Sequence, residues 1–153
     1  MQIELTNGFW IRSMLDDDIP IVHGIECEAS LIPWSLKIFY DCMRVGYECL
    51  LLCGPDSQIM GFSVLDLRLR ETHLYNFVID SNYQGQGLGD RFLKALLKHI
   101  QSTHSTEVQL EVRVSNIPAI RLYEKNGFVN VGYRKNYYSS APPEDALLYT
   151  LKF

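Results

Sequence analysis

No Cys-x-x-Cys pair occurs among the four cysteines of this chain, and none of its four histidines stands at ligand spacing from Cys27, Cys42, Cys49 or Cys53. The usual zinc and dithiol redox motifs are therefore excluded. No metal is expected, and the cysteines read as buried, reduced thiols. No cysteine has a histidine matched to it in a plausible element, which removes a cysteine hydrolase. No apolar stretch approaches the ~20 residues of a membrane span, so no membrane partner is expected. The segment from Met1 to Trp10 has neither the charged start nor the long apolar run of a secretory signal, and a cytoplasmic location is expected. Positive charge is in short supply: 14 Lys and Arg against 18 Asp and Glu leave a formal charge of −4. Nucleic-acid binding is driven by phosphate neutralisation, so direct nucleic-acid contact is not expected, whereas an acidic surface suits a basic protein partner. No repeat, low-complexity tract or linker divides the sequence. Its 153 residues suit one domain over 1–153, with a core that needs no disulfide, and a monomer is expected.

What is present alternates between strand and helix patterns. Gly8 to Met14 is predicted as a first strand. Asp16 is predicted to cap a helix through about Glu28, with Ile19, Val22 and Ile25 at helical spacing and Asp16, Asp17 and Asp18 forming a solvated helix start. Ile32-Pro33-Trp34 is a break, after which Ser35 caps a second helix with Leu36, Phe39, Tyr40 and Met43 on one face. Glu48 to Cys53 and Ile59 to Arg68 read as apolar strands joined by the turn Gly54-Pro55-Asp56-Ser57, and Thr72 to Asp80 reads as another strand. A helix with the apolar stripe Leu88, Phe92, Leu93, Leu96, Leu97 and Ile100 follows. Val108 to Val114 alternates, with Gln109, Glu111 and Arg113 on the polar face. Asn116 caps a short helix through Lys125, with Pro118 in its first turn, and Asn126-Gly127 ends it. Phe128 to Tyr137 and Ala146 to Phe153 read as closing strands. This order predicts an α/β (α+β) fold: a mixed, mostly antiparallel twisted sheet of about six to seven strands with flanking helices.

The sharpest local signal is Gln84-Gly85-Gln86-Gly87-Leu88-Gly89, set between a strand and the striped helix. A helix N-terminus exposes unpaired N–H groups and about half a positive charge, and glycines let an anion approach the backbone. Together they suit a pyrophosphate, although such a turn serves equally as a tight connection with no ligand. The run is neither Gly-x-Gly-x-x-Gly nor a Walker A motif, because no Lys-Ser/Thr follows it. Glu111 stands on the polar face of its strand, one helical connection before Tyr123. On residue chemistry alone it is either an acid–base group or a half-buried carboxylate paired with Arg113, with Tyr123 as core filler.

Gln84-x-x-Gly87-x-Gly89 after Phe77-Val78-Ile79-Asp80 resembles the acetyl-CoA signature of the GNAT superfamily. The run from Leu110 through Asn116, followed by Ala119 through Phe128, resembles the second half of that motif. Pro33-Trp34-Ser35, Arg134 through Tyr138 and Glu144-Asp145-Ala146 are similar to the RimI branch, the ribosomal-protein-alanine N-acetyltransferases. The resemblance spans nearly the whole chain. It implies the GNAT acyl-CoA N-acyltransferase fold and an enzyme that moves the acetyl group of acetyl-CoA to a protein N-terminal amine. The implied acceptor is the N-terminal alanine of small-subunit ribosomal protein eighteen, attacked directly in a ternary complex.

The same resemblance implies residue roles. Glu111 is the general base and Tyr123 the general acid. The backbone of Phe77, Val78 and Ile79 pairs with the pantetheine arm like an added strand. Gln84, Gly85, Gln86, Gly87, Leu88, Gly89 and Asp90 hold the pyrophosphate, and Asn116 contacts the pantetheine region. Trp34, Tyr137 and Tyr138 are expected to line the peptide groove, as aromatics with polar tips suit a wet rim. Burial of Glu111 between Leu110 and Val112 is expected to raise its pKa towards neutrality. Two positions depart from the family: Gly85 and Asp90 stand where it usually or often carries Arg or Lys, and Arg91 is expected to compensate. Alternative readings are a GNAT enzyme acting on other protein N-termini, lysine or a small amine, and a non-catalytic acyl-CoA-binding module. The module has no need of both Glu111 and Tyr123.

Overall fold

Leu50 and Leu52 face one side of a central strand while Cys49, Leu51 and Cys53 face the other, and all five are buried. Such a strand needs cover on both faces, and the computed structural model, which describes residues 1–153, supplies it. In chain order the elements are β1 (Gln2–Glu4), β2 (Trp10–Ser13), α1 (Ile19–Ala29), α2 (Leu36–Val45), β3 (Glu48–Cys53), β4 (Ile59–Asp66) and β5 (Glu71–Ile79). They continue with α3 (Leu88–Gln101), β6 (Glu107–Arg113), α4 (Ile117–Lys125), β7 (Val129–Tyr138) and β8 (Glu144–Lys152). The strands form one 8-stranded sheet in the order β1-β2-β3-β4-β5-β6-β8-β7.

One face of the sheet packs Phe92, Leu93, Leu96 and Ile100 of α3 against Leu50, Leu52, Leu65, Val108 and Leu110, with Tyr123 of α4 in the same cluster. The other packs Ile19, Val22 and Ile25 of α1 and Phe39 of α2 against Leu51, Phe62 and Val64. Each such side chain contributes roughly 1.5–3 kcal/mol when fully buried, so the two clusters hold the helices on their faces. Neighbouring strands are antiparallel except β5 and β6, whose parallel pairing covers only Glu71–His73 opposite Glu107–Gln109. Beyond that point β5 follows β4 and β6 follows β8. A bulge helps β5 bend away: Val64 pairs with Asn76 and Leu65 with Leu74, so Tyr75 has no opposite number. The edge of β5 that β6 has left, towards Ile79, carries unpaired backbone groups facing the gap.

The mixed sheet has one strand more than the largest number expected. The additional one is β1, whose three residues include only one, Ile3, turned inward, too short for any periodic signal. The first predicted strand is correspondingly shorter, because Asn7 and Gly8 adopt positive φ in a tight turn before it. Asp16 does not cap α1. Asp16–Asp18 forms a separate 3-10 turn, in which Asp18 accepts the Leu15 N–H at 2.8 Å and pairs with Arg12 at 2.7 and 2.9 Å. Asp18 is thus an internal pivot rather than part of a solvated helix start. Ser35 caps α2 by accepting the Ile38 N–H at 3.3 Å, and Gly46 ends it at φ 97°. Cys42, Cys49 and Cys53 are buried as expected, and burial pushes the Cys49 thiol up to about 12. Cys27 departs from that expectation: it is exposed on α1, and, against the expectation of no matched histidine, His23 Nε2 lies 3.5 Å from its Sγ one helical turn earlier.

Candidate active site

The splay of β5 from β6 opens a cleft of about 610 Å³. It brings together Trp34, Phe77, Val78, Glu111, Asn116, Tyr123, Tyr137 and Tyr138 from β5, β6, α4 with its cap, β7 and the approach to α2. Ile79 and the turn from Gln84 to Asp90 are not in its wall. Ile79 is the last residue of β5, and the turn runs beyond it into the start of α3.

Glu111 reaches the cleft because β6 alternates: Val108, Leu110 and Val112 enter the core, and the residues between them face the other way. Its Oε2 lies 2.6 Å from Nε2 of His73 on β5. An ionised carboxylate only accepts, so the imidazole Nε2–H donates. Burial pushes the Glu111 carboxyl up, but the hydrogen bond and charge of His73, with the charge of Arg134, outweigh it and hold the group below the usual carboxylate range. This corrects the expectation of a value raised towards neutrality: the sequence shows the apolar neighbours of Glu111 but not the histidine across the sheet. Pairing with Arg113 does not occur either. Arg113 pairs with Glu144 at 2.9 Å, bonds Ser140 at 3.0 Å, and lies over the Tyr138 ring at 4.2 Å.

Tyr123 is 6% exposed and its ring meets Phe128 edge-on at 5.6 Å. Its hydroxyl has no partner in the chain. Ser63 Oγ is the sole fully buried side-chain polar atom left unpaired, so the Tyr123 hydroxyl keeps an opening to the cleft. Burial raises its pKa well above that of an ordinary phenol. The group therefore stays protonated and can act as a donor. Asn116 caps α4 by accepting the Ala119 N–H at 3.3 Å, which leaves its amide nitrogen without a protein acceptor.

The glycine turn is held from behind. Asp80 accepts the Asn82 N–H at 2.9 Å, and the Gln84 amide donates to the Ile79 carbonyl at 3.0 Å. Gly85 and Gly87 have φ of +78° and +76°, where a side chain is strained, and a Cβ on either would meet nothing within 4 Å. Open space in front of left-handed glycines, beside the free N–H groups that start α3, fits a bound pyrophosphate. Gly89 differs: a Cβ there would make ordinary contacts, 3.5 Å from Leu122 and 3.7 Å from Ile79, so this position faces α4 and β5 rather than open space. Asp90 is turned away and neutralised. It accepts from Lys94 and from Asn126 at 3.0 Å, with Lys125 at 3.4 Å, and the lysine and asparagine bonds pull its carboxyl down to about 2. Arg91, expected to compensate, is held at Thr6, which accepts its guanidinium at 2.7 and 2.9 Å, and Phe9 lies beneath it at 4.7 Å.

Glu26 in the cleft wall and His73 behind Glu111 gave the sequence no role. Glu26 is 3% exposed and accepts the Trp34 backbone N–H at 2.9 Å, tying α1 to the cleft's edge. The available signal was a carboxylate four residues after Val22, on the apolar face of α1. His73 gave no signal, because its partner is 38 residues away.

Residues 11–128 match the model of the acetyltransferase (GNAT) family. The chain is 36% identical over 135 residues to a ribosomal protein bS18-alanine N-acetyltransferase of Salmonella typhimurium, covering 88% of this chain and 90% of that one. It is 34% identical over 142 residues to a protein of the same name in Escherichia coli, covering 92% and 95%. The crystal structure of the ribosomal-protein-S18-alanine N-acetyltransferase from Escherichia coli superposes with a TM-score of 0.87 over 94% of this chain and 93% of that one, at 34% identity.

Proposed function

The chain belongs to the GNAT acetyltransferase family, whose reaction moves the acetyl group of acetyl-CoA to an amine, and from that membership we propose that its acceptor is the N-terminal α-amine of a protein, specifically the N-terminal alanine of ribosomal protein bS18. The observation that carries this reading is that Glu111 and Tyr123, from different elements, open onto one cleft beside the unpaired edge of β5. An extended chain pairs readily with such an edge. The backbone of Phe77, Val78 and Ile79 would hold the pantetheine arm there, Asn116 would meet the same arm, and the turn from Gln84 through Asp90 would take the pyrophosphate. Bound in this way, acetyl-CoA presents a thioester carbonyl to the cleft.

The amine must be neutral to attack. Glu111 takes its proton, directly or through a water, and Tyr123 gives a proton to the departing sulfur. Holding both reactants in one cleft replaces a bimolecular encounter and removes the need for an acyl-enzyme. Trp34, Tyr137 and Tyr138 border the approach to the cleft and suit the first residues of a peptide. No step calls for a metal. A net charge of −4 favours a basic ribosomal protein over nucleic acid as partner, and the site is complete within one chain, which suits a monomer. No helix is long and apolar enough to cross a membrane. A ribosomal-protein acceptor would put the reaction in the cytoplasm.

The test is competition among peptides that differ only in their first residue, with one copy blocked at its N-terminus and carrying an internal lysine. Faster acetylation of the alanine peptide is expected. Preference for the blocked peptide would make this a lysine acetyltransferase.

A further inference from the structure

His73 is held on three sides. It is the last residue of β5 that still pairs with β6, opposite Gln109. Its ring stacks on Tyr75 at 4.2 Å, nearly parallel at 13°. Tyr75 stacks in turn on Tyr47 at 5.2 Å, and the Arg68 guanidinium lies over Tyr47 at 4.9 Å. The column fixes the plane of the imidazole, and the Nε2 edge meets Glu111 Oε2 at 2.6 Å. The second carboxylate oxygen, Oε1, has no partner in the chain. The two side chains remain 24% and 18% exposed, and Glu111 lines the cleft with His73 directly behind it.

We propose that His73 is a positioning residue for acetyl transfer, whose Nε2–H fixes one oxygen of Glu111 and leaves the other free to receive the amine's proton. This rests on the reading of Glu111 as the base. In the transfer the amine nitrogen forms a bond to the acetyl carbon, the carbon–sulfur bond breaks, Tyr123 protonates the sulfur, and Glu111 Oε1 receives the proton the amine loses. The His73 N–H bond stays intact throughout. The lone carboxylate would otherwise be free to turn about its side chain, and burial would favour its neutral, non-basic form. The other titratable or charged groups around the pair are Asp66 from β4, Tyr75 from β5, and Arg134 and Tyr138 from β7.

The test compares H73F, which keeps an aromatic ring in the column but no donor, with H73Q, which keeps an N–H. H73F should lower kcat about 10- to 100-fold, the effect of losing a hydrogen bond to a charged group, with KM for acetyl-CoA unchanged. The kcat/KM profile should carry a second, lower acid limb beneath that of the amine, belonging to Glu111, and this lower limb should move to higher pH in H73F and return towards its original place in H73Q. In an E111Q background H73F should cost nothing further, because the group it positions no longer acts. A folded H73F enzyme with wild-type kcat and an unmoved lower limb overturns the proposal. So does a full further loss in the double variant. Wild-type turnover by E111Q alone removes the base itself, and the proposal with it, whereas an inactive E111Q beside a fully active H73F removes only His73. Circular dichroism verifies folding. Should H73F not fold, H73N, whose shorter amide falls short of Glu111, carries the same comparison.

Discussion

Gly87 and Gly89 stand two residues apart at the start of α3 and have opposite surroundings: a Cβ on Gly87 faces open space, and a Cβ on Gly89 lies 3.5 Å from Leu122. The two glycines therefore separate ligand approach from packing. Gly87→Val places a branched side chain at φ +76° in the space a pyrophosphate would occupy. Acetyl-CoA affinity should fall at least about tenfold, with a strain cost of roughly 1–2 kcal/mol. Gly89→Val should instead lower the melting temperature through overpacking, typically about 1–3 kcal/mol. Calorimetric titration and thermal melts on both variants check this. Equal affinity in wild type and a folded Gly87→Val protein would remove the pyrophosphate assignment.

Glu111→Gln keeps shape and removes basicity. Turnover at neutral pH should drop about 10²- to 10⁴-fold, the usual worth of general base catalysis, and recover partly at high pH where the amine is already free. Acetyl-CoA binding, measured by calorimetry, should barely change.

The pH profile follows from the direction of the Glu111 shift. A folded-state pKa held below the usual carboxylate range means that Glu111 is ionised at and above neutrality. Its contribution to stability is present above the unfolded pKa and is lost as pH falls through the lowered folded value. The rise of kcat/KM between about pH 6 and 8 should therefore report the acceptor amine, whose unperturbed pKa is about 7.7–8.0. Peptides with amines of different pKa should shift that limb accordingly. A limb that stays fixed across such peptides would belong to the enzyme and contradict this assignment.

Tyr123→Phe should lower turnover with little change in the apparent affinity for peptide, and initial rates with both substrates varied should give intersecting lines. Three of the four cysteines are buried, so Cys27 is the one thiol placed to carry an acetyl group. Parallel lines together with acetyl trapped on Cys27 would mean a ping-pong route.

Most elements announce themselves locally. The stripe from Leu88 to Ile100, the alternation from Val108 to Val112 and the caps at Ser35 and Asn116 need only neighbours within a few residues. The glycine turn and the separation of Glu111 from Tyr123 were legible for the same reason. What escaped depends on contacts across the sheet. His73 lowers the Glu111 pKa from 38 residues away, Thr6 captures Arg91 from 85 residues away, and the bulge at Tyr75 appears only when β4 and β5 are paired. Asp90 was legible as an unusual charge beside the turn, but not as one already paired with Lys94 and Lys125 and hydrogen-bonded by Asn126.

The same captured arginine yields a further expectation. Arg91→Ala should leave KM for acetyl-CoA close to wild type and instead loosen the segment around Thr6 and Phe9, seen as faster amide exchange there. A large rise in KM with unchanged exchange would show that Arg91 leaves Thr6 to meet the cofactor.

The most direct measurement is to incubate the protein with acetyl-CoA and the unacetylated bS18 chain and to locate the added acetyl group by tandem mass spectrometry. The account predicts a single acetyl on the α-amine of the N-terminal alanine, lost with Glu111→Gln. An acetyl group found only on lysine side chains, or an unmodified chain beside active enzyme on another amine, would contradict it.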